Sequence, residues 1–321
     1  MTSWRPSADV AALRIRADLL ARTRAFFADR DVLEVETPAL SRAAATDRRI
    51  ESLRTRVAGD GARYLHTSPE FPMKRLLAAH RIDVYQICKV YRDGEAGRLH
   101  TPEFTLLEWY RVGFNHHQLM DEVSELLTNL LAQYRPLATA ERWTYRDAFV
   151  EYARVDPFAD SCARLERAVR DAGVIPPRDL GDDRSAWLDL LLSCAVAPRL
   201  GRGRVSFVYD FPEAAAALAR LRPGKVPVAE RFEAFIAGIE LANGFHELTD
   251  AAEQRARFVA DLDARAHSGA SAVPIDEHLL AALTEGLPDC AGVALGFDRV
   301  AMLATGSRDI RGVLSFPFET A

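Results

Sequence analysis

Two arginines and several acids stand on otherwise apolar stretches of this chain, and their types suit the binding of phosphate, metal and ammonium groups. Arg299 follows GVALGFD, where strand-like alternation gives way to a helical pattern. An arginine at that junction needs an anionic partner, from the chain or from a ligand. The free amides of a helix start would add to its pull on an anion. Gly292 and Gly296 let the backbone approach something flat or bulky. Their spacing alone is a weak signal, and no Gly-Lys-Ser/Thr follows, so this is not a Walker loop. Arg92 closes DVYQICKVYR, and a glycine-containing loop leads from it to PEFTLLEWYR, a long hairpin pattern. Alternation there puts Phe104, Leu106, Glu108 and Tyr110 on one face, which reads either as a pocket floor or as a surface hairpin with solvated charges. In HTSPEF, Ser68, Pro69 and Glu70 form either a plain helix start with Glu70 at the positive dipole end or the rim of a zwitterion site.

RFEAFIAGIELANGFHELTD carries Glu233 and Glu240 seven residues apart, on opposite faces of an unbroken strand. A bulge between them, with Gly238 as its site, would align them. Two carboxylates near phosphates would hold Mg²⁺, a hard cation that prefers oxygen. Asn243, Gly244 and Glu247 follow where the strand should end, although Asn-Gly is also a turn signal. Two separated arginines, two carboxylates and an apolar slot suit a nucleoside triphosphate with its metal. Glu70, Glu108 and Glu247 suit a cationic substrate. The chemistry is that of amino-acid activation by ATP.

Positioning these groups requires strands joined by hairpins and flanked by helices, without βαβ alternation: an α+β fold with an antiparallel sheet. A helix is expected over 7–30 with Ser7 as cap, a short strand at VLEVETPAL, and a strand ending near His66 before a helix that has Pro69 in its first turn. Asp250 and Glu253 have capping-box spacing. Residues 116–200 read as a mostly helical insertion in a single domain spanning 1–321. The chain has 321 residues, 49% of them hydrophobic, and a formal net charge of −5. That balance argues against non-specific nucleic-acid binding. No stretch is long and apolar enough to span a bilayer, and the start lacks a signal-peptide core. Cys88, Cys162, Cys194 and Cys290 are scattered and read as reduced thiols, which points to the cytoplasm.

These stretches resemble class II aminoacyl-tRNA synthetases. FFADRDVLEVETPAL is similar to their first motif, the hairpin to the second and GVALGFDR to the third. TSPE, HTPEFTLLEWY, RFEAFI and ELANGFHELTDA resemble the lysine branch, and the likeness runs from about residue 12 to 316. The first motif begins almost at the start of the chain, so the N-terminal anticodon-reading module is expected to be absent, and with it anticodon recognition on tRNA. In that short form, and in WRPSA and Ala294, the chain resembles the elongation factor P–lysine ligases. Lysyl-tRNA synthetases have a glycine where Ala294 stands, and its methyl group would reshape the pocket towards a β-amino acid.

The resemblance implies activation of lysine, preferably (R)-β-lysine, with ATP and Mg²⁺, and transfer to a lysine of elongation factor P by a homodimer. It implies that Arg92 and Arg299 hold phosphates as the catalytic arginines, and that His100 lies near the phosphates. Phe104 stacks on adenine, and Asp93, Gly94, Glu95, Leu241 and Gly296 complete the nucleotide site. It assigns Mg²⁺ to Glu233 and Glu240 with Asn243 nearby. Ser68, Pro69 and Glu70 take the substrate amine and backbone atoms, while Tyr110 and Glu247, supported by Glu108, take the side-chain ammonium. One departure stands out: relatives read Arg-Asn-Glu where this chain reads Arg92, Asp93, Gly94, Glu95. Either Glu95 reaches the adenine amino group or that contact is lost. Two other readings are an enzyme that charges tRNA and a non-catalytic sensor of amino acid or nucleotide.

Overall fold

The computed structural model describes residues 4–177 and 180–321. In chain order the elements are α1 (Val10–Ala28), β1 (Leu33–Glu34), β2 (Leu40–Ser41), β3 (Arg54–Val57), β4 (Gly61–Leu65), α2 (Glu70–His80), β5 (Val84–Tyr91) and β6 (Glu103–Val112). Next come α3 (His116–Leu131), β7 (Ala138–Thr144), α4 (Tyr145–Ala153), α5 (Cys162–Asp171), α6 (Arg184–Leu191), β8 (Arg204–Pro212) and β9 (Leu221–Arg222). The chain ends with β10 (Val228–Ile236), β11 (Ile239–His246), α7 (Ala251–His267), α8 (Glu277–Gly286), β12 (Cys290–Gly296) and α9 (Phe297–Thr305).

The expected α+β architecture is present. One sheet runs β1-β5-β6-β12-β11-β10-β8-β7, with β9 on β10, and a second runs β2-β4-β3. Pairing in the large sheet is antiparallel except for β1 with β5 and β7 with β8. The 116–200 stretch is not all helix, because β7 lies within it and extends the sheet at one edge. ERWTY carries β-branched and aromatic residues suited to a half-covered edge strand.

The pleat explains the mixed composition of β6. Leu107 and Trp109 face a core built with Phe27 of α1 and Leu119, Val123 and Leu126 of α3. Phe104, Leu106, Glu108 and Tyr110 face the other way, into a large cavity. Helix α1 begins later than Ser7, after Asp9, whose carboxylate accepts from Ala12 N at 2.8 Å. Ser7 instead donates from its hydroxyl to the carbonyls of Arg311 and Leu314. The 33–41 segment makes only the two-residue β1 and β2, because Pro38 separates two short pairings. Pro69 is the cap residue of α2, one position before the first turn. Asp250 caps α7 as expected, but Glu253 turns to Arg257 and leaves the capping box half made.

Gly238 is not a bulge. With Ala237 (φ 53°) it has positive φ (75°) and makes the two-residue turn of the β10–β11 hairpin, closed by the Ile236–Ile239 pair. The bulge lies further on. Phe235 opposes Glu240 and Ala234 opposes Ala242, which leaves Leu241 as the extra residue. Asn243-Gly244 is not a turn either, since both residues lie inside β11. A Cβ at Gly244 would come within 2.4 Å of the Phe232 ring, so close packing, not turning, requires the glycine there.

Candidate active site

A cavity of about 920 Å³ opens on the sheet face opposite α1 and α3. Of the residues singled out by the sequence, Ser68, Glu70, Arg92, Glu95, His100, Phe104, Glu108, Tyr110, Glu240, Leu241, Asn243, Glu247, Ala294, Gly296 and Arg299 line it. Pro69, Asp93, Gly94 and Glu233 do not. Asp93 and Gly94 form the turn beyond Arg92, with Gly94 at φ 75° and its N–H donating to Asp93 Oδ1 at 2.9 Å, so only Arg92 and Glu95 of that run face inward.

The junction between β12 and α9 sends its two charges in different directions. Asp298 is buried, pairs with Arg16 at 2.5 Å and accepts from the Thr105 N–H at 2.7 Å. Arg299 turns to the cavity, donating to the carbonyls of Glu240 (2.7 Å) and Leu99 (3.4 Å) and to His100 Nε2 (2.7 Å). Burial, with Arg299 beside it, holds His100 below the ordinary histidine value, in keeping with a neutral ring accepting that bond. The nearby Glu240 carboxylate is 3.9 Å from Arg299 Nη1. Arg92 sits over the Phe104 ring at 5.1 Å and pairs with Glu95 at 3.5 Å. The two arginines therefore face one cavity without being neutralised by tight carboxylate contacts, and much of their capacity for an anion is unspent.

A second set of residues is acidic. Glu108 accepts from Ser68 Oγ (2.6 Å) and Tyr110 OH (2.7 Å). Glu70 and Glu247 flank Lys74 at 2.6 and 2.5 Å. Lys74 was missed by sequence reasoning although it lies four residues after Glu70 on α2, the spacing of a helical ion pair. Burial alone would lower its pKa, but Glu247 and Glu70 hold it well above the ordinary lysine value. Burial pushes Glu108 up to about 8, with Glu70 adding to the effect and the two hydroxyl donors opposing it. Burial also pushes Glu247 up to about 7 against the pull of Lys74. Two carboxyls on one ammonium, with the Glu108 carboxyl in the same cavity, leave room for further cationic groups.

Register builds this corner. Tyr110 lies opposite Gly292, and Ala294 opposite Glu108. A Cβ at Gly292 would stand 2.2 Å from the Tyr110 ring and 2.5 Å from Glu247 Oε1. Gly292→Ala should therefore displace the phenol or the acid, cost about 1–3 kcal/mol of stability and weaken binding of a lysine-like ligand. Chemical denaturation and ligand titration on the same sample measure the two effects.

The hairpin and its bulge bring Glu233, Glu240 and Asn243 to one neighbourhood. Glu233 is buried, pairs with Arg231 at 2.6 Å and is pushed up to about 7 by burial and by Glu240. Arg231 also donates to Asn243 Oδ1 (3.2 Å) and the Ala215 carbonyl (2.7 Å) and lies 4.5 Å over the Phe211 ring. It was missed as well, though its place two residues before Glu233 puts it on the same strand face. These donors are all oxygen, and two mutually repelling carboxylates suit a hard divalent cation.

The family model for tRNA synthetases class II (D, K and N) matches residues 2–320. Among curated proteins, one named elongation factor P–(R)-β-lysine ligase from Vibrio atlanticus is 49% identical over 99% of this chain and 98% of its own length. Proteins of the same name from Vibrio cholerae and Pectobacterium atrosepticum are 48% and 47% identical, each over 100% of this chain and 99% of its own length. Among the described residues, no helix is long and apolar enough to cross a membrane. The chain belongs to the class II tRNA synthetase family of the D, K and N branch, together with the elongation factor P–(R)-β-lysine ligases that it matches along its length.

Proposed function

We propose that this protein is an ATP-dependent ligase that activates (R)-β-lysine, or lysine, as the acyl-adenylate and transfers it to a lysine ε-amine of elongation factor P. The observation that carries this reading is the convergence of Arg92 and Arg299 with Glu70, Glu108 and Glu247 in one cavity. The relatives' printed name supports the choice of amino acid and acceptor. The whole chain acts as one catalytic domain, and the likeness of α1 and the 33–41 segment to the first family motif supports a homodimer, which sedimentation would check.

The substrate carboxylate attacks the α-phosphorus, a P–O bond forms, and pyrophosphate leaves. Arg92 and Arg299 offset charge on the phosphates, and Phe104 offers its ring to the adenine. Glu240, with Glu233 and Asn243 behind it, would hold Mg²⁺, which when bound neutralises charge on the leaving pyrophosphate. Placement and electrostatics account for most of the rate in such a step. Glu70 faces the amine, and Tyr110, Glu108 and Glu247 face the side-chain ammonium. The acceptor amine, ordinarily protonated up to a pKa of about 10.4, loses its proton as it displaces AMP from the mixed anhydride, and an adenylate phosphate oxygen is the proposed base.

Incubation with ATP, labelled (R)-β-lysine or lysine, and either elongation factor P or tRNA tests the reading. Label on the factor is expected. Label on tRNA alone would replace the reading with tRNA charging, and absence of pyrophosphate exchange with a folded protein would leave a sensor.

The acid corner predicts a pH dependence. Glu108, at about 8 when folded against an ordinary 4.5, holds a proton that the unfolded chain has released. Its contribution to stability is present below about 4.5 and is lost as pH rises towards about 8. The bound ammonium needs the carboxylate, so affinity for the diamine should rise over the same interval. Urea midpoints and calorimetric titrations between pH 5 and about 8.5 check both, and Glu108→Gln should reduce both slopes, leaving the share of Glu247 and Glu233, which are also raised.

A further inference from the structure

Behind β11, on the face away from Glu247, a second polar cluster takes no part in the proposed chemistry. His116, the first residue of α3, is 2% exposed, and neither of its ring nitrogens has a hydrogen-bond partner. Its ring lies 6.4 Å from that of His246, at the end of β11. His246 Nδ1 faces Glu230 Oε2 of β10 at 2.6 Å, and its Nε2 faces Asp289 at 2.9 Å. One ligand atom each from His116, Glu230 and His246 lies within 4.8 Å of the others. Asp210 of β8 places Oδ1, also buried and without a hydrogen-bond partner, 3.9 Å from His116 Nε2. Its Oδ2 pairs with Arg222, which also lies 3.6 Å from Glu230 Oε1.

We propose that His116, His246 and Glu230, with Asp210 as a fourth donor, form a binding site for a transition-metal dication of the Zn²⁺ type. Two imidazoles and two carboxylates are a donor set for zinc, not for magnesium. Donors at about 2.0–2.1 Å on a tetrahedral ion lie roughly 3.3 Å apart. Glu230 must therefore withdraw slightly from His246, and the His116 ring must move in. The Asp289 carboxylate on His246 Nε2 fits the usual outer partner that orients a ligating imidazole. Arg222 occupies one oxygen of Asp210, Oδ2, and sits near Oε1 of Glu230, leaving Asp210 Oδ1 and Glu230 Oε2 for the ion. A cation here would tie the start of α3 to three strands and fix the end of β11, the residue before Glu247.

The test uses the full chain freed of metal with a chelator and titrated with Co²⁺ and Zn²⁺ in the absence of nucleotide. One equivalent of Co²⁺ should bind with intense ligand-field absorption, be displaced by Zn²⁺, and raise the melting temperature. His116→Gln and His246→Gln should each weaken that site roughly tenfold or more, whereas Glu240→Gln should leave it intact and so exclude the cavity. Absence of such a site in the wild-type protein, or binding indifferent to both histidine changes, overturns the proposal. Should a glutamine variant not fold, histidine ¹⁵N resonances of the wild type decide instead: Zn²⁺ should shift the ring nitrogens of His116 and His246, and unchanged resonances for both count against the site.

Discussion

Arg299→Ala is expected to slow ATP–pyrophosphate exchange by about 10²–10³-fold, the usual loss when one preorganised charge donor is removed from a reacting group. Arg299 stands in the first turn of α9 and spends its donors on two carbonyls and one imidazole. Those are contacts that a triphosphate can share or displace. Core packing of α9 rests instead on Phe297, Val300, Ala301 and Met302, so the variant should keep a near-native urea midpoint. Arg299→Lys should recover only part of the rate, because an ammonium lacks the planar fork. An exchange rate within a few-fold of wild type would mean that the triphosphate does not lie against this side chain.

The largest stability effect is expected at Lys74. Its side chain is 2% exposed between Glu70 and Glu247, whose own side chains are 16% and 1% exposed. Lys74→Met would leave both carboxyls in the interior without their cation, a change that ordinarily costs about 3–5 kcal/mol. Unfolding in urea measures the loss. Excess lysine should restore part of it, since the bound ligand brings ammonium groups to the same acids. A loss below about 1 kcal/mol would show that the two acids simply take up protons and that Lys74 is not needed as a counter-charge.

Much of this arrangement was legible because local patterns carry it. The alternation of β6 placed Phe104, Leu106, Glu108 and Tyr110 together, and the switch from GVALG to FDRVAM marked the start of α9. What stayed hidden depends on long-range register. Nothing in GVALG says that Gly292 must make room for Tyr110 or that Ala294 will face Glu108, because β6 and β12 are far apart in the chain. The single strand drawn through Glu233 and Glu240 was a hairpin, since Ala237 adopts a positive φ that alanine seldom takes. Lys74 was not singled out, because its second partner, Glu247, lies far along the chain, just past the end of β11. His116 carries no local signal of its burial, and only the fold shows it enclosed.

The order of strands has a consequence for how the protein is made. β12, which lies between β6 and β11, comes from the last tenth of the chain and carries the helix with Arg299 behind it. While the ribosome is still adding those residues, the strands already emerged form two unfinished halves whose facing edges, β6 and β11, have nothing to bond. Such bare edges invite pairing with other nascent chains. A gene interrupted near codon 289 should therefore yield aggregates and not a weakened enzyme, and a separately supplied C-terminal peptide would have to slide into the middle of a sheet to rescue it.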